Sequence, residues 1–495
     1  MRKLDVSPID PRSALSRATR RRILQGTVAR LAGRAAGGVV SLVALHYATR
    51  YFGPSAWGSI VAAIALYTVF SAIGDFGTGK ITSREVARTS EGASSVYGTS
   101  LAAATLLGLA GAGLLVAVGA LLYFSHGETL RYVLVLSPAV LFMAWWQTSA
   151  SVLTARERND VRAVLDVGSS LLLLAGVLVI LSLQESGLWY VLVATGSVAL
   201  TAVVALVLAS SYVKPHLAWD RRQIKRFVRR SAPVGASLML FALYLRVGVV
   251  LLTLFRGDRE VGAYGVAVQI AMFIMSTPAF LMGAVLAPFM QADRRERLRL
   301  TQHALWLLIS VSLPIPVFLG LFAHGFVTML SGRSFASAAH PLVILGVAST
   351  IWCVNIGVLD LVINEGGEDR LLRPLGQSAA LSIAMSLLVV PWFGMDGAAC
   401  VIIGTELVNL YQFTRLHRSL TGFVPDLRAV VPAAVGVAVV AGVSQLVVHL
   451  GSVRISSGPV LVAQVLAAAT LYGAAFTLCY RLLRRRWDPV AVFGA

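Results

Sequence analysis

Charge is scarce in this 495-residue chain: Asp, Glu, Lys and Arg make up only 13% of it, against roughly 25% in ordinary soluble domains. Acids are scarcer still, 23 against 42 basic residues, and lysine supplies only four of those 42. Long polar stretches are missing too. None exceeds about twenty residues, which is too short to bury a core of its own, so no soluble catalytic domain is present. The three cysteines, Cys353, Cys400 and Cys479, lie in or beside apolar segments and indicate neither a disulfide framework nor a metal cluster. The patterns GxxxxGK[ST], HExxH and the nucleophile elbow are also absent, which weighs against an ATP-driven pump built from this chain alone.

What fills the chain is apolar: 57% of residues are hydrophobic, in repeated runs of about 20 or more. Such runs match a hydrocarbon core roughly 30 Å thick, whereas strands of an outer-membrane barrel would be alternating segments of only about 10 residues. The reading is an all-α integral membrane protein. Spans are expected near 24–49, 56–75, 96–123, 130–153, 163–183 and 187–211, then near 232–255, 261–288, 301–323, 335–362, 371–391, 394–414, 430–450 and 457–480, fourteen in total. The chain divides into a basic N-terminal segment (1–22), a six-helix bundle (23–211), a basic linker (212–230), a second six-helix bundle (231–416), two further helices (417–481) and a tail (482–495). Pro278 and the pair Pro314 and Pro316 are candidate breaks within spans. The first span is too long, and too soon followed by another, to be a cleaved signal peptide.

The positions of the basic residues give an independent count. Lys and Arg favour short cytoplasmic connections. With both termini in the cytoplasm, 33 of the 42 fall on that side, six on the other and three within helices. One missed span would invert every later assignment. Two clusters stand out, with seven basic residues in 1–22 and seven in 211–230. In a soluble chain these would point to nucleic acid; beside apolar spans they set orientation and meet anionic lipid headgroups.

The two halves also echo each other. FGPSAWGSIVAA (52–63) and FRGDREVGAYGVAVQ (255–269) each carry a glycine-rich hairpin, then Ala-aromatic-Gly, then an apolar helix. Paired, pseudo-symmetric bundles of this kind place a cavity between halves that rock against each other.

Ionisable groups within spans are functional candidates by default. Arg246 lies deep in the seventh span. Arg30 and Arg34, one helical turn apart on the first, form with it a candidate path for an anionic group, since guanidinium geometry suits phosphate. Gly33 and Gly37 in that stretch have the spacing of a close-packing helix face. Asp360 and Glu406 are the deepest acids and are candidates to bind a proton or sodium ion or to neutralise an arginine. The amides Gln147, Gln269, Asn355 and Asn409 are candidates for sugar hydroxyls. Asp75, in AIGDFG, is expected to stabilise the turn that leaves the second span.

The stretch GPSAWGSIVAAIALYTVFSAIGDFGTGKITSREVAR (53–88), with Gly53-Pro54, Trp57-Gly58, Asp75-Phe76-Gly77 and Arg84-Glu85, resembles the polysaccharide biosynthesis flippases. These oligosaccharide-lipid exporters belong to the superfamily that also holds the multidrug and toxin extrusion carriers and the lipid II flippases. The resemblance continues at YLRVGVVLLTLFRGDREVGAYGVAVQI (244–270) and at Pro288. Arg246 occupies a position common in that family, but Gly248 stands where its usual aspartate would be. The resemblance implies a multi-pass carrier of the cell membrane, not an enzyme, that moves a polyprenyl-pyrophosphate-linked glycan from the inner to the outer leaflet. It further implies no cofactor, coupling to a proton or sodium gradient, membrane lipids and a polymerase or glycosyltransferases as partners, and no nucleic acid. Two alternatives stay open: an ion-coupled multidrug carrier, and a non-transporting membrane scaffold.

Overall fold

The computed structural model describes residues 17–484 apart from 90–91, 217–219, 277, 279–280, 283–288, 290–291, 368–369, 425–429 and 450–458; side chains are described from residue 32 onward, except at 294, 446–449, 459 and 482–484. Pro288 lies outside the described residues. Among those described, the secondary structure is helical, with no strand, and ten stretches are long and apolar enough to cross a membrane.

The helices are α1 (Arg17–Asp75), α2 (Thr78–Arg88), α3 (Ala93–Leu122), α4 (Gly127–Ala155), α5 (Asn159–Leu183), α6 (Gly187–Tyr212), α7 (Arg221–Arg256) and α8 (Asp258–Met275). They continue as α9 (Arg294–Ser312), α10 (Ile315–Ser331), α11 (Ala339–Asn364), α12 (Leu372–Thr421), α13 (Val431–His449) and α14 (Pro459–Arg484). A 3₁₀ turn, Arg333–Ala338, precedes α11. Two of the longest rods are bent where glycine replaces helical backbone. Gly53 (φ 72°, ψ 175°) divides α1, and Gly394 (φ 55°, ψ −134°) divides α12. The expected span near 301–323 is two helices, because Pro314 cannot continue the ladder and instead starts α10.

The sequence echo is an echo of backbone as well. Gly257, between α7 and α8, adopts φ 88° and ψ 165°, nearly the conformation of Gly53. Both lie in the positive-φ region that side chains disfavour, so the two turns need glycine for the same reason. Beyond each turn the repeated segments meet. A Cβ on Gly58 would collide with the Asp258 carbonyl, and one on Gly262 with the Pro54 carbonyl. Small residues let the backbones approach this closely. Ser59 Oγ donates to Asp258 Oδ2 across the contact at 2.8 Å.

The second half of the central basic stretch, from Arg221 on, is helical. Asp220, its one acid, accepts from the backbone N–H groups of Arg222 (2.8 Å) and Gln223 (3.4 Å) and so caps α7. Six of the seven basic residues then fall in the opening turns of α7. Ile224, Phe227 and Val228 on the opposite face pack against Ala102 and Ala103 of α3. At this basic end the halves touch again, through Arg230 Nη2 and Glu85 Oε1 at 3.3 Å and through the close approach of Gly235 to Phe76. Helices α13 and α14 pair with each other and touch the rest through α9 and α10.

Candidate functional site

Between these two contacts lies a cavity of about 220 Å³, walled by α1, α5, α6, α7 and α8. Its polar groups are few: Ser41, Trp57, Tyr190, Arg246 and Gln269. Arg246 sits ten residues before the end of α7 at Arg256, about 15 Å along the axis and so near the midplane of a core roughly 30 Å thick. No acid lines the cavity. Among the described residues Arg246 makes no ion pair, and Gly248, at the position of the family's usual aspartate, packs against Ala398. A guanidinium at this depth with no carboxylate on the cavity wall has the donor geometry that suits an anion. The edge of Trp57 meets Tyr190 with ring centroids 5.4 Å apart, fixing an aromatic wall beside it. The enclosed volume is below the roughly 300–1,000 Å³ of drug-sized sites.

The other nominated residues divide between three places. Arg34 is exposed on α1, seven residues and hence two turns, about 10 Å, toward the basic end from the cavity residue Ser41 on the same helix face. The side chain of Arg30 lies outside the described residues. Gly33 packs on Ala163, and Gly37 on Ser170 and Asp166, so this pair forms the seam between α1 and α5. Gln147 belongs to neither the cavity nor its mouth; its carbonyl accepts from Ser151 Oγ at 2.6 Å, inside the first half. Asp75 Oδ1 accepts the Gly79 N–H at 3.2 Å, as a turn-stabilising acid does.

Asn355, Asn409 and Glu406 come together in a second buried centre between α11 and α12, each about 1% exposed. Asn355 Nδ2 donates to Glu406 Oε2 at 2.7 Å and to the Glu406 carbonyl at 2.8 Å. Ser378 Oγ donates to Asn409 Oδ1 at 2.5 Å. Glu406 Oε1, Asn355 Oδ1 and Asn409 Nδ2 are buried without a protein partner. Asp360 lies one turn from Asn364, whose Nδ2 reaches its carbonyl at 2.6 Å, and is half-buried. Among the described residues no group of three or more His, Cys, Asp or Glu side chains has metal-binding geometry.

Sequence reasoning singled out Arg246 by its depth, but not Ser41, Trp57 or Tyr190 as cavity residues. Ser41 and Tyr190 carry no signal that separates them from ordinary span residues. Trp57 did carry one, as the aromatic of the repeated Ala-aromatic-Gly, but the repeat gives no direction for its ring.

The fold is similar to that of the lipid II flippase MurJ in an inward closed conformation, with a TM-score of 0.77 and 12% identity over 93% of this chain and 99% of that one. It is also similar to an inward-facing multidrug resistance MATE family transporter of the MOP superfamily (TM-score 0.62, 16% identity, 80% and 98% covered). A third likeness is to a MOP superfamily transporter from Pyrococcus furiosus, described for the reverse polarity of its binding pocket (TM-score 0.59, 17% identity, 81% and 96% covered). No curated protein matches the chain by sequence. The family described as "Polysaccharide biosynthesis protein" matches residues 23–292. That match takes in more than half of the chain, its cavity arginine and both copies of the repeated hairpin: this multi-pass membrane protein belongs to the polysaccharide biosynthesis protein family.

Proposed function

We propose that the protein is a flippase, not an enzyme, that carries a polyprenyl-pyrophosphate-linked oligosaccharide from the cytoplasmic to the outer leaflet for the building of a surface polysaccharide. The observation that carries this reading is Arg246, without an ion pair among the described residues, on the wall of an enclosed cavity between the two halves. An anionic pyrophosphate supplies the charge it lacks, and the polyprenyl tail stays in the bilayer.

In this scheme fourteen crossings place both termini and the basic end in the cytoplasm, in keeping with the positive-inside rule. Residues 23–211 and 231–416 act as two bundles. Arg30 and Arg34 receive the pyrophosphate at the cytoplasmic mouth, and Arg246 holds it at mid-depth. Gln269, on the wall beside Arg246, takes the sugar-binding role for which Gln147, Asn355 and Asn409 were also candidates. Release on the far side follows when the contact around Gly58 and Asp258 opens while that around Glu85 and Arg230 holds. Glu406, with Asn355, serves as the site for a coupling proton or sodium ion, its free carboxylate oxygen and the free Asn355 Oδ1 supplying the ligands while the Asn409 amide donates beside them; Asp360 is a second nominee. A polymerase or glycosyltransferases hand over and receive the cargo.

An ion-coupled multidrug carrier for cationic drugs is disfavoured by the absence of any acid on the cavity wall. Two assays on the same proteoliposomes test the choice. Flippase activity is expected on a polyprenyl-pyrophosphate glycan, with no ethidium export. Ethidium export without glycan movement would reverse the assignment, and movement of neither cargo would leave the scaffold reading.

A further inference from the structure

A second and larger cavity, about 730 Å³, lies between α9, α11 and α12. It shares no lining residue with the cavity around Arg246, and it is graded along its length. At one end stand Arg415, His417 and Arg418; at the other, Ile309, Val354 and Leu407. On α12 the distance from Leu407 to Arg418 is eleven residues, about 16 Å, close to half of a hydrocarbon core roughly 30 Å thick. The groove is therefore as deep as one leaflet. Its charged end lies with the basic starts of α7 and α9, and its flank, at Leu407 and Tyr411, is exposed on a membrane-crossing helix, so it opens sideways toward lipid.

Among the described residues, the charged end is short of partners. Arg415 reaches only the Tyr411 hydroxyl, at 3.4 Å. Among the described residues neither Arg415 nor Arg418 pairs with an acid, and Glu365, an acid at the same end, is taken by Arg297 at 3.6 Å. His417 is only 4% exposed, and its Nε2 is buried with no hydrogen-bond partner. An apolar slot one leaflet deep, ending in two guanidinium groups and an imidazole that have no acidic partner among the described residues, has the complementarity of a lipid with a negative headgroup. Basic pockets between membrane helices on the cytoplasmic side take such headgroups.

We propose that this groove binds one anionic phospholipid of the cytoplasmic leaflet, its acyl chain against Ile309, Val354 and Leu407 and its phosphate on Arg415 and Arg418. The site is separate from the cargo path and does not depend on what the cargo is.

The test is thermal unfolding of the delipidated full-length protein in detergent, titrated with phosphatidylglycerol or with phosphatidylcholine of the same chains, beside native mass spectrometry to count retained lipids. Phosphatidylglycerol is expected to raise Tm by several degrees more than phosphatidylcholine and to remain bound as one molecule per chain. Arg415→Gln with Arg418→Gln removes that preference. Arg221→Gln with Arg222→Gln, at another exposed basic site, keeps it, which separates a built site from general surface charge. Should the arginine pair variant fail to fold, Leu410→Trp, which keeps the charges and fills the slot, is expected to lose the retained lipid. Equal effects of the two phospholipids, a preference that survives both groove variants, or displacement of phosphatidylglycerol by stoichiometric undecaprenyl phosphate would overturn the proposal, the last assigning the groove to a polyprenyl chain instead.

Discussion

At the residue scale the buried centre around Glu406 has the sharpest chemistry. Its carboxylate is the acceptor for Asn355 Nδ2 at 2.7 Å, and a buried donor left without its acceptor costs about 1–3 kcal/mol. Glu406→Ala is therefore expected to lower thermal stability by that order. Glu406→Gln keeps an acceptor for Asn355 and is expected to fold with a smaller loss. If Glu406 holds the coupling ion, the Gln variant also makes cargo flipping insensitive to collapse of the proton and sodium gradients. A Gln variant that still responds to a gradient as the parent does would remove Glu406 from coupling and leave Asp360 to be tested. The sequence showed Glu406, Asn355 and Asn409 as separate polar residues on two spans. Only the packing of α11 against α12 makes them one centre, because contacts between residues fifty positions apart leave no local pattern in a chain that is apolar all round.

At the element scale, α7 shows what charge patterning does and does not reveal. The basic cluster at 211–230 marks the middle of the chain, and from Arg221 on it forms the first turns of a long helix. The sign was available in Asp220, a favoured N-cap residue, followed by an apolar set at 224, 227 and 228 with helical spacing. Asp220→Ala is expected to destabilise the protein by about 0.5–2 kcal/mol, while Asp220→Asn, which still caps, is expected to lie near the parent in thermal unfolding. The kinks were partly legible. Gly53 before Pro54 and Gly257 in the matching hairpin stand out as a repeated motif, and both do adopt positive φ. Their length was not. α1 and α12 each run through two expected spans with only a glycine between them, since a helical ladder needs no loop to turn at a single residue with φ reversed.

For the whole molecule, the proposed rocking of the halves requires two contacts to open in turn. One joins Ser59 and Asp258 away from the basic end, the other Glu85 and Arg230 at the basic end. Ser59→Cys with Asp258→Cys, joined by a disulfide, and Glu85→Cys with Arg230→Cys, joined by a short bifunctional thiol reagent because an Arg–Glu tip contact holds the backbones too far apart for a disulfide, are each expected to arrest flipping; unhindered flipping with either pair fully crosslinked would exclude rocking of the halves. The central claim is narrower still. It is that an unpaired arginine at mid-membrane receives the cargo's pyrophosphate. Truncating a charge-assisted contact is worth about 1.5–3 kcal/mol, roughly one to two powers of ten in rate or affinity. The direct measurement is flipping of a polyprenyl-pyrophosphate glycan in sealed proteoliposomes at equal protein level. Arg246→Ala is predicted to slow it about 10- to 100-fold, with Arg246→Lys between the two; an Arg246→Ala protein that flips at the parent rate would contradict the account.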